Sequence, residues 1–148
     1  MQILAPMYAV IETGGKQYRV QLGEIIQVEK ISTEMGQAVN FENVLLLGKQ
    51  DGENSQIWLG KPNVMQASVS AEVVGDGRGK KILIVKMKRR KQYRRTKGHR
   101  QPHSQLLITG IDNGTGEKVT LSADDRKTRL SRFQSSLKQK PAMSVTKN

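Results

Sequence analysis

The sequence contains no cysteine. That absence excludes a disulfide framework, a Cys-based zinc site, an iron–sulfur cluster and a thiol nucleophile, so stability has to come from buried side chains. Aromatic residues are few, two Phe, three Tyr and one Trp, which leaves Val, Ile and Leu to build a core. Long apolar runs are missing too. Residues 82–85 (Ile, Leu, Ile, Val) are a run of four, against the roughly 20 apolar residues that span a bilayer. Residues 1–7 lack the basic and then apolar order of a secretory signal. The expectation is a soluble protein of a reducing compartment, with no membrane partner. Its 148 residues fit one domain of the usual ~100 to 200 residues, with room for a tail.

Negative charge is also missing from one stretch, and this is the most informative absence. The chain carries 25 Lys and Arg against 13 Asp and Glu, a formal net charge of +12. Residues 1–77 hold five basic residues (Lys16, Arg19, Lys30, Lys49, Lys61) and nine acidic ones, a net −4. Residues 101–148 hold eight basic and four acidic, a net +4. Residues 78–100 hold twelve basic residues and no acidic one, so this segment alone has an excess of +12, equal to that of the whole chain. A block that cannot be neutralised locally seeks a polyanion, either nucleic acid or an anionic membrane surface.

The first 112 residues read as strands. Residues 8–12 are apolar and β-branched, Thr13, Gly14 and Gly15 signal a turn, and residues 16–21 begin a second strand, which predicts a β-hairpin. Further strands are expected over residues 24–31, 44–47, 57–59, 68–74, 82–85 and 106–111. Within 68–74, Val69, Ala71 and Val73 alternate with Ser68, Ser70 and Glu72, the period of a strand with one buried face. Seven or eight short strands separated by Gly, Asn and Asp predict an all-β fold, a small antiparallel barrel or sandwich. Beyond the turn-rich residues 112–116, residues 119–121 could add a last strand. Leu130, Phe133 and Leu137 then recur at helical spacing, and Ser122 with Asp125 resembles a capping box. Three apolar residues make a narrow stripe, so this helix is marginal on its own.

The basic segment lies between two expected strands and forms a connection of about 20 residues, a length that is uncommon and usually functional. As a two-limbed extension of about ten residues a limb it would reach about 30 Å at roughly 3.3 Å per residue. Its candidate RNA-contacting residues are Lys80, Lys81, Lys86, Lys88, Arg89, Arg90, Lys91, Tyr93, Arg94, Arg95, Lys97, His99, Arg100 and Gln101. Lys and Arg can neutralise phosphates. Tyr93, His99 and the guanidinium planes can stack on unpaired bases, and Gln92 and Gln101 can hydrogen-bond base edges or 2′-hydroxyls. A membrane-binding segment would carry bulky apolar anchors on one face, and only Met87 and Tyr93 qualify between residues 86 and 104. Lys16, Gln17 and Arg19, just after the Gly14–Gly15 turn, are further candidates for RNA contact.

Other features have plainer explanations. Gly14 and Gly15 fit a turn with positive φ better than a phosphate-cradling loop. Tyr18 and Trp58 fit core or half-buried positions better than stacking platforms. His99 and His103 have no thiolates or carboxylates close by in sequence and do not make a metal site or an acid–base pair. The carboxylates are scattered, so no catalytic residue, metal or cofactor is expected, nor a small-molecule substrate. Asp124 and Asp125 suit a helix N-terminus. Arg126, Lys127, Arg129, Arg132, Lys138 and Lys140 form either a solvated face or a helix that folds against RNA or a neighbouring protein.

Two motifs carry a family resemblance. Residues 7–20 (Met, Tyr, Ala, Val, Ile, Glu, Thr, Gly, Gly, Lys, Gln, Tyr, Arg, Val) resemble the start of the bacterial-type large-subunit ribosomal protein numbered twenty-one. Ile82, Lys86, Arg90 and Lys91, followed by Gly98, His99, Arg100, Gln101 and Ser104, match the signature spacing of that family. The resemblance covers about residues 7–112. It implies a six-stranded β-barrel with a basic loop extended into RNA. It also implies a non-catalytic role in binding large-subunit ribosomal RNA, beside another RNA-binding ribosomal protein numbered twenty, with no homo-oligomer. The compartment would be the bacterial cytoplasm or, because tails of this kind look cyanobacterial or plastid, the plastid stroma. The expected organisation is an N-terminal extension over 1–6, unless Met7 is the initiator; an RNA-binding domain over 7–112 with its basic loop at 86–104; and a basic C-terminal extension over 113–148. Two other readings of the residues alone remain: a free-standing nucleic-acid-binding β-barrel acting as a translation or transcription factor, and a module whose basic loop binds acidic proteins or a membrane surface.

Overall fold

The computed structural model describes residues 7–138. The N-terminal extension expected over 1–6, and Lys140 of the expected basic tail, lie outside the described residues. The chain forms eleven strands and one helix: β1 (Met7–Thr13), β2 (Lys16–Gln21), β3 (Ile25–Glu29), β4 (Ala38–Phe41), β5 (Val44–Asp51), β6 (Asn54–Leu59), β7 (Ser68–Arg78), β8 (Ile82–Lys88), β9 (Tyr93–His99), β10 (Pro102–Asp112), β11 (Lys118–Thr120) and α1 (Ala123–Lys138). All-β is the correct class for the body, and more strands form than the sequence pattern showed.

One sheet has the order β2-β1-β5-β6 and a second the order β11-β10-β7-β4, with β3 also pairing β10; β8 and β9 make a separate two-stranded ladder. Among the described residues no ladder joins the two larger sheets into a closed barrel. Their inner faces meet across an aliphatic core. Ala9 and Ile11 of β1, Val20 of β2, Leu47 of β5, Val69, Ala71 and Val73 of β7, and Leu106, Ile108 and Ile111 of β10 are all buried. In β7 the buried valines and alanine alternate with more exposed Ser68, Ser70 and Glu72, as the sequence predicts. In β10 the neighbours Leu106 and Leu107 are both buried. A register shift between Gln105 and Leu106 interrupts the simple alternation there, as a bulge does. Tyr18 and Trp58 pack half-buried against the core, as expected.

The helix forms where its cap and periodicity place it. Asp125 N donates to Ser122 Oγ at 3.2 Å, and Ser122 Oγ donates to Asp125 Oδ2 at 2.7 Å. Arginine does more than the apolar stripe to attach it. Arg126 grips Glu72 of β7 through two bonds of 2.7 Å, and Arg129 Nη1 donates to Gly23 O at 2.8 Å. Gly23 has φ +78°, and a Cβ on it would lie 2.5 Å from Arg129 Nε, so the turn's conformation and the close approach both require glycine. Leu137, one third of the expected stripe, is 51% exposed.

Candidate nucleic-acid interface

The basic segment is an arm with regular structure. β7 and β10 pair from the core outwards as far as Arg78 opposite Pro102. Gly79 N donates to Gln101 O at 2.9 Å, and the chain then enters the β8–β9 ladder, which runs from Ile82 opposite His99 to Lys88 opposite Tyr93. Seven such pairs extend roughly 24 Å at about 3.4 Å per residue. The two-limbed extension expected from the sequence is therefore a hairpin. Its tip is the turn over residues 89–92, where Arg90 has φ 59°, a left-handed conformation uncommon outside glycine. The tip thus sets Arg89, Arg90 and Lys91 side by side at the far end of the arm.

Residues opposite each other in an antiparallel ladder share a face, and neighbours along a strand alternate. One face therefore carries Ile82, Ile84, Lys86 and Lys88 with His99, Lys97, Arg95 and Tyr93. The other carries Leu83, Val85 and Met87 with Gly98, Thr96 and Arg94. On the first face Lys88 Nζ lies 4.9 Å and Arg95 Cζ 5.3 Å from the Tyr93 ring centre. The ring thus gathers two cations by cation–π attraction and is half-buried among them. Lys80 and Lys81 lie just before β8, and Arg100 and Gln101 between β9 and β10.

The base of the arm is fixed to the body by carboxylates. Asp76 of β7 accepts from Lys30 and from Ser104 Oγ, the latter at 2.8 Å. Ser104 is fully buried and its Oγ accepts from Ile31 N at 3.1 Å. Glu29, at the end of β3, accepts from Lys16 Nζ and from Gln101 Nε2, each at 2.8 Å. Gln101 Oε1 meets His99 Nε2 at 2.8 Å, and Arg100 Nη1 reaches Gly79 O at 3.4 Å. The hydrogen bond from Lys30, then that from Ser104, hold the Asp76 carboxyl below its ordinary value. Lys16, then Gln101, do the same for Glu29, and Glu29 raises Lys16 in return. Gly14 belongs to this base, since a Cβ on it would meet the Glu29 side chain at 2.9 Å. The turn reading of Gly14 and Gly15 holds.

The structure therefore sorts the candidate residues. Lys86, Lys88, Arg89, Arg90, Lys91, Tyr93, Arg94, Arg95 and Lys97 lie on the hairpin. His99, Arg100 and Gln101 form its root, with the Gln101 amide engaged on both sides. Lys16 is joined to that root through Glu29. Gln17 and Arg19 lie on exposed positions of β2, Arg19 stacked 4.5 Å over the Tyr8 ring. The anchors Glu29, Lys30 and Asp76 escaped sequence reasoning, because only the strand register brings them to the arm. Among the described residues no group of three or more His, Asp or Glu could hold a metal, and no helix is long and apolar enough to cross a membrane.

A net-acidic β-sheet body that holds a polycationic ribbon in a set direction defines a class of protein made to meet a polyanion. Comparison with known proteins narrows it: residues 7–111 match the family model described as ribosomal prokaryotic L21 protein, and the chain belongs to that family. It is similar to the large ribosomal subunit protein bL21 of Halorhodospira halophila, 48% identical over 108 residues that cover 73% of this chain and 100% of that protein. It is also similar to bL21 of Acinetobacter baumannii, 51% identical over 105 residues, 71% of this chain and 98% of that protein. With bL21 of Coxiella burnetii strain RSA 331 it shares 46% identity over 112 residues, 76% of this chain and 94% of that protein. The helix α1 lies beyond the matched family region.

Proposed function

We propose that this protein is a non-catalytic structural component of the large ribosomal subunit that binds ribosomal RNA through its anchored basic hairpin. The observation that carries this reading is the arm itself: twelve basic and no acidic residues over 78–100, on a ribbon whose root is tied to the body by Asp76, Ser104 and Glu29. Anchoring fixes the direction in which the charges leave the body, so Lys and Arg can replace counterions where RNA segments pack together. Lys86, Lys88, Lys91, Lys97, Arg89, Arg90, Arg94 and Arg95 are the phosphate contacts. Lys80, Lys81 and Arg100 extend them toward the body, where Lys16, Gln17 and Arg19 make peripheral ones. Tyr93 stacks only where RNA displaces Lys88 or Arg95 from its ring, and His99 and Gln101 chiefly position the root. The neighbouring protein is large-subunit protein twenty. The working unit is the 7–112 domain, with 113–148 as an appended tail, and the setting is a bacterial cytoplasmic or plastid ribosome.

The test is salt dependence. If about six basic residues meet phosphates, log affinity for large-subunit RNA falls with log salt at a slope of about −4 to −5, taking roughly 0.7 to 0.9 per contact. Replacing Arg89, Arg90, Arg94 and Arg95 by Gln flattens that slope by about three units while thermal unfolding of the body stays in place. An unchanged slope would sink the assignment of RNA binding to the arm.

A further inference from the structure

Phosphate binding leaves the aliphatic row on one face of the hairpin without a role. There Leu83, Val85 and Met87 follow one another along β8, exposed by 69, 56 and 66%, with Gly98, Thr96 and Arg94 opposite them. Cations stand only at the two ends of this row: Arg94 near the tip, and Lys81 at the root, its stem so close over Gly98 that a Cβ there would overlap it. The row has the period of a strand that covers a core, yet every residue of β8 is exposed. A contiguous apolar row on a surface is the usual mark of an interaction site.

Resting on the RNA-binding reading above, we propose that this face docks on a neighbouring protein of the large subunit, while the opposite face holds RNA through Lys86, Lys88, Arg95 and Lys97, beyond Ile82 and Ile84 at its root. The chemistry of the occupant follows from the row: an aliphatic patch for Leu83, Val85 and Met87, narrow enough to leave Lys81 and Arg94 at its two ends free to reach RNA phosphates. RNA fits poorly, since its accessible phosphates, 2′-hydroxyls and base edges would lose water against aliphatic side chains that return no hydrogen bond. A second copy of this chain also fits poorly. Three side chains cover a few hundred Å², well short of the roughly 1,200 Å² of a stable standing interface, and pairing two arms would bring their like charges together. A neighbour held in place by the same particle needs no such area, because its effective concentration is set by the assembly.

The test places a benzophenone amino acid at Val85 or at Lys86, adjacent residues on opposite faces, in full-length chains assembled into large subunits. The expected result is a crosslink from position 85 to an aliphatic segment of an identified large-subunit protein, and from position 86 to RNA. A crosslink from position 85 to RNA, or to nothing, overturns the docking face alone. Failure of position 86 to reach RNA overturns the RNA reading and this inference with it. The triple variant L83S/V85S/M87S gives an independent measure. Its affinity for deproteinised large-subunit RNA should stay within twofold of the unsubstituted chain, while the crosslinked neighbour is retained at least tenfold less in salt-washed subunits. A tenfold loss of RNA affinity in that variant places the row on RNA and overturns the proposal.

Discussion

In β7, Val69, Ala71 and Val73 lie buried beneath a second sheet; in β8 the run Ile82, Leu83, Ile84, Val85 is more apolar, and every one of its side chains is exposed. Both strands belong to antiparallel ladders. They differ in what lies against their faces. The body is stabilised by burial between two sheets, worth roughly 1.5–3 kcal/mol for each Val, Leu or Ile fully removed from water. The arm has only its cross-strand bonds, its cation–π cluster and its root, and an isolated two-stranded ribbon is at best marginally stable in water. The difference teaches that one chain can combine a body stabilised by its own core with a ribbon that has regular pairing and no core of its own.

The comparison breaks first at Leu106. Leu106→Ala removes a fully buried side chain at the centre of the body and should cost about 2–5 kcal/mol, read as a lower denaturant midpoint. Val85→Ala, at a position 56% exposed in the arm, should move that midpoint by less than about 0.5 kcal/mol. Equal losses would show that the arm contributes to the cooperative unit of the body.

Next in size is the junction between the two regions. Ser104→Ala deletes the buried hydroxyl that links Ile31 N to Asp76 and should cost about 1–3 kcal/mol, the usual penalty for leaving a buried partner unsatisfied. The same variant should loosen the root of the arm, seen as faster amide exchange at Gly79 and Ile31 with the β1 and β5 amides unchanged. Uniform protection across body and arm would show that the root is held elsewhere.

The sequence showed most strands through their apolar residues, buried in the body and, over 82–85, exposed in the arm. The β1–β2 hairpin, β3, β7 and β10 were legible because their apolar residues recur at the right spacing and are buried. Two strands were not. β9 reads Tyr, Arg, Arg, Thr, Lys, Gly, His, a segment with no apolar alternation because neither face is covered, and β4 has only four residues. The charged block marked the candidate interface, since twelve uncompensated cations are visible in one dimension. Its division into a cationic and an aliphatic face required the register. The roles of Arg126 and Arg129 were hidden for a related reason: a basic helix looks like a solvated or RNA-binding face until Glu72 and the Gly23 carbonyl are found beneath it.

The smallest expected effect concerns pH, and it separates the root of the arm from the rest of the body. Asp76 is held below the ordinary carboxylate range by Lys30 and Ser104, and Glu29 by Lys16 and Gln101. A carboxylate with a lowered folded-state value stabilises fully above its unfolded value, about 3.9 for Asp and 4.3 for Glu, and loses that contribution as pH falls through the lower folded-state value. The raised Lys16 works in the opposite sense: its contribution is complete below the ordinary lysine value of about 10.4 and is lost as pH rises through the raised one. Between about pH 5 and 9 the contributions of Asp76, Glu29 and Lys16 should therefore be constant. Acid should release it with a midpoint below the ordinary carboxylate range, read as movement of the Ile31 amide resonance. Asp76→Asn should remove that acid step at Ile31, whereas Glu29→Gln should leave it and release the Gln101 amide instead. A midpoint at or above the ordinary carboxylate value would show that neither carboxylate anchors the arm in solution, and that its direction is set only when RNA binds.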